Sequence, residues 1–202
     1  MRLVYRLVVC ATALLGITTL SAPAFAWEAV EQVKTYSISG QSGRELYQSI
    51  GANGPVIAGD RRTIAHTTFK LTWRRDYQNR ADGGCVLASA RPKLIITYTL
   101  PKPRGKMPSD VASRWKDFYD GLAAHEKVHG QYIIEMVREI ESASIGLSAS
   151  NDGDCNKVRA QLQARLKQLS DWQRQRGRDF DRVEMGEGGA VQRLVLGLIN
   201  DR

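Results

Sequence analysis

The longest helical pattern in the chain runs from Ser109 to about Ile145, and the rest must fold around it. Trp115, Phe118 or Tyr119, Leu122, Ile133, Met136, Val137 and Ile140 recur at the three-and-four spacing of one helical face. Ser109, following Pro108, suits the N-cap, and Asp110 suits the positive end of the helix dipole. Gly121 and Gly130 weaken the run, which therefore reads as one kinked helix or as two.

Inside this run lie His125, Glu126 and His129, the pattern His-Glu-x-x-His. In a helix the two histidines stand one turn apart on one face, so both imidazoles can reach a single ion. Glu126 is rotated by about 100° and cannot easily join them on that ion. It can touch a water bound there, which is where metal-assisted hydrolysis needs a general base. The chain has only three histidines, so this spacing is a specific signal. Two surface histidines that happen to be four apart are the plain alternative. Lys127 fits a metal-binding helix only if it is exposed or paired with an acid. The third histidine, His66, reads first as structural or exposed.

The N-terminus carries an export signal. Arg2 and Arg6 precede an apolar run from Leu7 to Leu20, and Ala24-Phe-Ala26 supplies a small-x-small cleavage site. Residues 1–26 thus read as a signal peptide and 27–202 as a single domain with no transmembrane segment, periplasmic or secreted. Without Arg2 and Arg6 the chain keeps 27 basic residues against 21 acidic ones, a net charge of about +6. Export argues against nucleic acid as a partner, and the charge excess permits weak contact with anionic envelope polymers. Cys85 and Cys155, each in a Gly/Asp-rich loop, read in an oxidising compartment as one disulfide.

Around the long helix the pattern is α+β, a small antiparallel sheet followed by a mostly helical half. Lys34–Ser39 suits a strand, and Ser42-Gly-Arg-Glu45 is a capping box opening a short helix that stops at Gly51. Between Thr63 and Trp73, Ala65, Thr67, Phe69, Leu71 and Trp73 alternate with a polar set that includes His66. Lys93–Leu100 is a second strand, ended by Pro101. Val158, Leu162, Leu166, Leu169 and Trp172 stripe another helix that ends at Gly177. The segment Asp179–Met185 follows it, and Ala190–Ile199 is a last short helix.

The features from Tyr36 and Gly40, through Ala65-His-Thr-Thr-Phe-Lys-Leu-Thr-Trp73, Cys85, Leu100-Pro101, Trp115, His125-Glu-x-x-His129 and Cys155, to Phe180-Asp181 resemble a bacterial family. That family is described as secreted zinc-dependent proteases, its domain being otherwise of unknown function. The resemblance implies a zincin-like fold, zinc as cofactor, His125 and His129 as ligands and Glu126 as catalytic base, acting on a peptide or protein substrate. Relatives carry Tyr-Asp-x-x-Thr-x-His-Gly near the C-terminus, a natural source of a third ligand. Here the stretch reads Phe180-Asp-Arg-Val-Glu-Met-Gly-Glu187, without histidine. A catalytic zinc normally has three protein ligands. Glu184 is the expected substitute, giving a His₂Glu set, with Asp181 and then His66 as alternatives. Tyr132, Tyr119 and Tyr77 are candidate donors to an oxyanion. The reading is an exported zinc metallopeptidase. Its rivals are a non-catalytic or degenerate envelope-binding module and a zinc hydrolase of a cell-wall amide.

Overall fold

The computed structural model describes residues 27–200, and the segment 1–26, expected to be a signal peptide, lies outside the described residues. Its elements are β1 (Val30–Ile38), α1 (Gly43–Asn53), β2 (Val56–Ala58), β3 (Arg61–Arg62), β4 (His66–Asn79), β5 (Cys85–Pro103), α2 (Ser109–Ser144), β6 (Ser148–Ala149), α3 (Asn156–Met185) and α4 (Ala190–Ile199). The architecture is α+β. Among the described residues no helix is long and apolar enough to cross a membrane.

The main sheet has the order β1-β5-β4, with β6 added at the start of β5. Strands β4 and β5 form an antiparallel pair from His66↔Thr99 to Asn79↔Cys85, with a bulge between Asp76 and Tyr77. Strand β1 runs parallel to β5, from Val30↔Ile95 to Ile38↔Pro103. The sheet is therefore mixed, not antiparallel as the sequence suggested. Alternation marks a strand but not its direction, and a parallel neighbour needs only a long connection, here α1, β2, β3 and β4.

Strand β5 also runs past Pro101, which pairs with Tyr36. Its prolines are tolerated because each sits where β5 has one neighbour. Pro92 faces β4 alone, before β1 begins at Ile95, and Pro101 and Pro103 face β1 alone, after β4 has ended at Thr99.

The core fills one face of this sheet. Leu94, Ile96, Tyr98 and Leu100 of β5 meet Trp115, Phe118, Leu122, Ile133, Met136, Val137 and Ile140 of α2, with Leu46 and Ile50 of α1 and Leu198 of α4 closing one end. In α1 half of the expected capping box forms, Ser42 Oγ accepting from the Glu45 N–H at 3.3 Å, while the Glu45 carboxylate takes the N–H of Gln41, one residue before the cap, at 2.6 Å. The helix passes Gly51 and ends at Asn53. Helix α2 is one uninterrupted element whose first residue is Ser109, Pro108 holding the cap position. Its glycines mark close approaches. A Cβ on Gly130 would stand 2.0 Å from the Tyr98 hydroxyl, and one on Gly121 would strike the Leu194 side chain.

A second, smaller cluster joins Leu87, Val158 and Leu162 around the Cys85–Cys155 disulfide. It pins the start of α3 to the sheet, and the Asp152 carboxylate caps that helix by accepting the N–H groups of Lys157 and Val158 at 2.9 and 3.0 Å. Helix α3 does not stop at Gly177 but continues to Met185. Only the first half of its expected stripe is deeply buried, and Trp172 is 41% exposed.

Candidate metal centre

Helix α2 sets His125 and His129 on the face turned toward α3. At Gly177 α3 lies close to this face, where a Cβ would stand 3.4 Å from His129 Nδ1, in ordinary van der Waals contact. One turn further along α3, Phe180 and Asp181 point into the same gap. The Phe180 ring stacks on His125 at 4.7 Å and meets His129 edge-on at 5.5 Å. Asp181 Oδ1 lies 3.2 Å from His125 Nε2 and 2.8 Å from His129 Nε2, and the two Nε2 atoms are 3.2 Å apart. Among the described residues these three form the cluster able to hold a metal ion.

The sequence favoured Glu184 as third ligand, with Asp181 as an alternative, and Asp181 is the carboxylate that stands against both Nε2 atoms. Glu184 approaches the opposite nitrogen of His125, with Oε2 3.9 Å from Nδ1. The reason is helical phase. Asp181 is four residues beyond Gly177, directly over the closest contact, whereas Glu184 is almost a further turn along. His66 lines the same cleft but is not part of the cluster.

Electrostatics follow from this geometry. Burial works against the charged form of His129, but the facing Asp181 carboxylate outweighs it and raises the imidazole above its ordinary value. Burial would push the Asp181 carboxyl up, yet the two imidazoles hold it far below the usual carboxylate range.

Glu126 is buried, 4% exposed, and lines the same cleft as the cluster, with its carboxylate against β4. The Thr67 hydroxyl of β4 lies 2.5 Å from its Oε2 and 3.2 Å from its main-chain carbonyl. The sequence counted Thr67 as one more position on a core face. Its only signal as a site residue was a hydroxyl among Ala65, Phe69, Leu71 and Trp73. Lys127 pairs with Glu31 of β1 and lies 4.7 Å over the Tyr98 ring, outside the cleft.

The cleft in front of the cluster has a volume of about 340 Å³. Strand β4 forms one wall with Ala65, Thr67 and Phe69, and α3 forms the other with Arg174, Arg178 and Met185. None of the three candidate tyrosines lines it. Tyr132 packs under Arg176, Tyr77 under Arg159, and Tyr119 beside Trp115. Strand β5 is flanked on both sides from Ile95 to Thr99 and offers no free edge there to an extended peptide. The free edge beside the cleft belongs to β4.

A model of a bacterial protein family of unknown function, DUF922, matches residues 33–189. The chain belongs to the DUF922 family. The match takes in both helices that carry the cluster. No curated protein and no solved structure matches this DUF922 chain.

Proposed function

We propose that this protein is an exported zinc-dependent peptidase in which His125, His129 and Asp181 hold the metal and Glu126 is the general base. The observation that carries the reading is the convergence of two imidazole nitrogens and one carboxylate oxygen within 3.2 Å of one another. Donors about 2.0–2.1 Å from a tetrahedral ion stand roughly 3.4 Å apart. The measured spacings are slightly tighter, and an ion entering would part them by a few tenths of an ångström. Two nitrogens and one carboxylate are also the donor set of known catalytic zinc sites, which keep a fourth position open.

A zinc ion in this cradle supplies Lewis acidity toward water and a carbonyl oxygen. The chain's own groups do the rest. Glu126 takes a proton from the attacking water and returns it to the leaving nitrogen. Thr67 fixes the carboxylate by donating its hydroxyl hydrogen to Oε2. When Glu126 holds the proton, that hydroxyl can turn to the Glu126 carbonyl. The open edge of β4 offers main-chain groups to an extended peptide, and exposed Phe69, Ile57 and Met185 at the cleft offer apolar contacts.

The test pairs zinc content with hydrolysis. The chain from Trp27 should hold about one zinc, and Glu126→Gln should keep the metal while losing cleavage of an unstructured protein. Zinc-loaded protein that cleaves purified cell wall and no polypeptide would redirect the reading to a cell-wall amide. Wild type that neither contains nor takes up zinc would leave the binding-module reading in its place.

A further inference from the structure

We infer that Glu184 is a positioning residue that selects the metal-binding tautomer of His125. This rests on the zinc reading above. The His125 side chain is 2% exposed, and its Nδ1 is buried with no hydrogen-bond partner among the described residues. A neutral imidazole carries one N–H. With the hydrogen on Nε2, that atom donates to Asp181 and has no lone pair for a metal. With the hydrogen on Nδ1, Nε2 is free, but a buried donor then lacks an acceptor and is disfavoured. Left alone, Asp181 therefore favours the tautomer that cannot bind.

Glu184 reverses this preference. Its Oε2 lies 3.9 Å from Nδ1, about 1 Å longer than a typical hydrogen bond. It stands at the end of a side chain with three rotatable bonds. Both residues also line a cavity of about 620 Å³ between α2, α3 and α4, which gives the carboxylate room to turn. Fewer than two turns of α3 thus serve one ring, with Asp181 at Nε2, Phe180 on its face and Glu184 toward Nδ1. Partners of this kind typically change metal affinity by about 10–100-fold.

The experiment measures zinc affinity by chelator competition at fixed pH, and the ¹⁵N shifts of the His125 ring, for wild type, Glu184→Ala and Glu184→Gln. Glu184→Ala should bind zinc about 10–100-fold more weakly and shift the ring toward the Nε2–H tautomer. Glu184→Gln, whose amide oxygen still accepts, should recover most of both. Affinity and ring shifts that Glu184→Ala leaves unchanged would overturn the inference. Wild type without zinc affinity, but with ring shifts that respond to Glu184→Ala, would sink the zinc reading and leave the tautomer selection standing.

Discussion

Asp181→Ala separates a metal cradle from a mere ion pair. Structural zinc sites with four ligands bind with about 10–16 kcal/mol, or roughly 2.5–4 kcal/mol per ligand. Removing one of three donors should then weaken zinc by on the order of 10²–10³-fold. Thermal melts read this directly. Free zinc at 100 times the wild-type dissociation constant stabilises the native state by about 2.7 kcal/mol. For a chain of this length that is a rise of roughly 5–11 °C. At the same zinc concentration Asp181→Ala should rise by no more than about 2 °C. The loss should appear only with metal, because the Asp181 side chain is 42% exposed and its metal-free pairing is worth no more than about 1 kcal/mol. His66→Ala, which removes an imidazole from the cleft but not from the cluster, should keep the full shift. An Asp181→Ala protein with the wild-type zinc shift would refute the assignment.

Three further outcomes follow from the same structure. Replacing Cys85 and Cys155 by Ser opens a link spanning 70 residues, and should lower stability by about 4 kcal/mol in urea titrations; a loss below about 1 kcal/mol would contradict its tethering role. Gly130→Ala should cost about 1–2 kcal/mol despite better helix propensity, because its Cβ would overlap the Tyr98 hydroxyl, whereas Gly51→Ala, with nothing within 4 Å, should gain up to about 1 kcal/mol; similar melts for the two would refute the packing argument. In metal-free protein His129 sits above its ordinary value of about 6.5, so its contribution is full below about pH 6.5 and fades as pH rises through the raised value. Depressed Asp181 contributes above about pH 4 and loses that contribution in acid, so zinc, which must displace the His129 proton, should bind more weakly as pH falls toward 6 while the chelated protein becomes more stable; parallel pH profiles with and without chelator would rule this out.

What the sequence revealed was local. The Ser42–Glu45 cap, the long α2 helix and the Val158–Leu162 stripe depend on neighbours within a turn or two, which spacing records. The cysteine pair was legible for another reason, since few partners were available. Long-range geometry left no such mark. Nothing in Val30–Ile38 tells that it joins β5 in parallel. Gly177 reads as a helix stop because glycine lowers helix propensity, and its place against His129 appears only in the fold. Once α3 was expected to end there, the phase of Asp181 and Glu184 on one continuous helix could not be worked out, nor which of the two faces the Nε2 atoms. Thr67 was hidden in the same way, as its partner lies 59 residues away.

That continuous helix also raises the question of what aims Asp181. The disulfide anchors α3 at Cys155, 26 residues earlier, or about 39 Å along the axis. A tilt of 5° at that anchor would move Asp181 by roughly 3 Å, as far as the whole width of the cradle, so the anchor cannot set its position. Contacts near the site must, and Arg176 makes three of them. Its guanidinium lies 4.0 Å over Tyr132 and 4.6 Å from Trp172, and its Nη1 reaches Glu135 Oε2 at 2.5 Å, clamping α3 to α2 one residue before Gly177. Arg176 touches no ligand atom of the cluster. Arg176→Ala should nevertheless weaken zinc about tenfold, comparable to losing a residue that orients a ligand, with the disulfide intact. Arg176→Lys, which keeps the charge but loses the planar stack, should fall between the two. Zinc titrations in which Arg176→Ala matches wild type would show that this clamp does not aim the carboxylate.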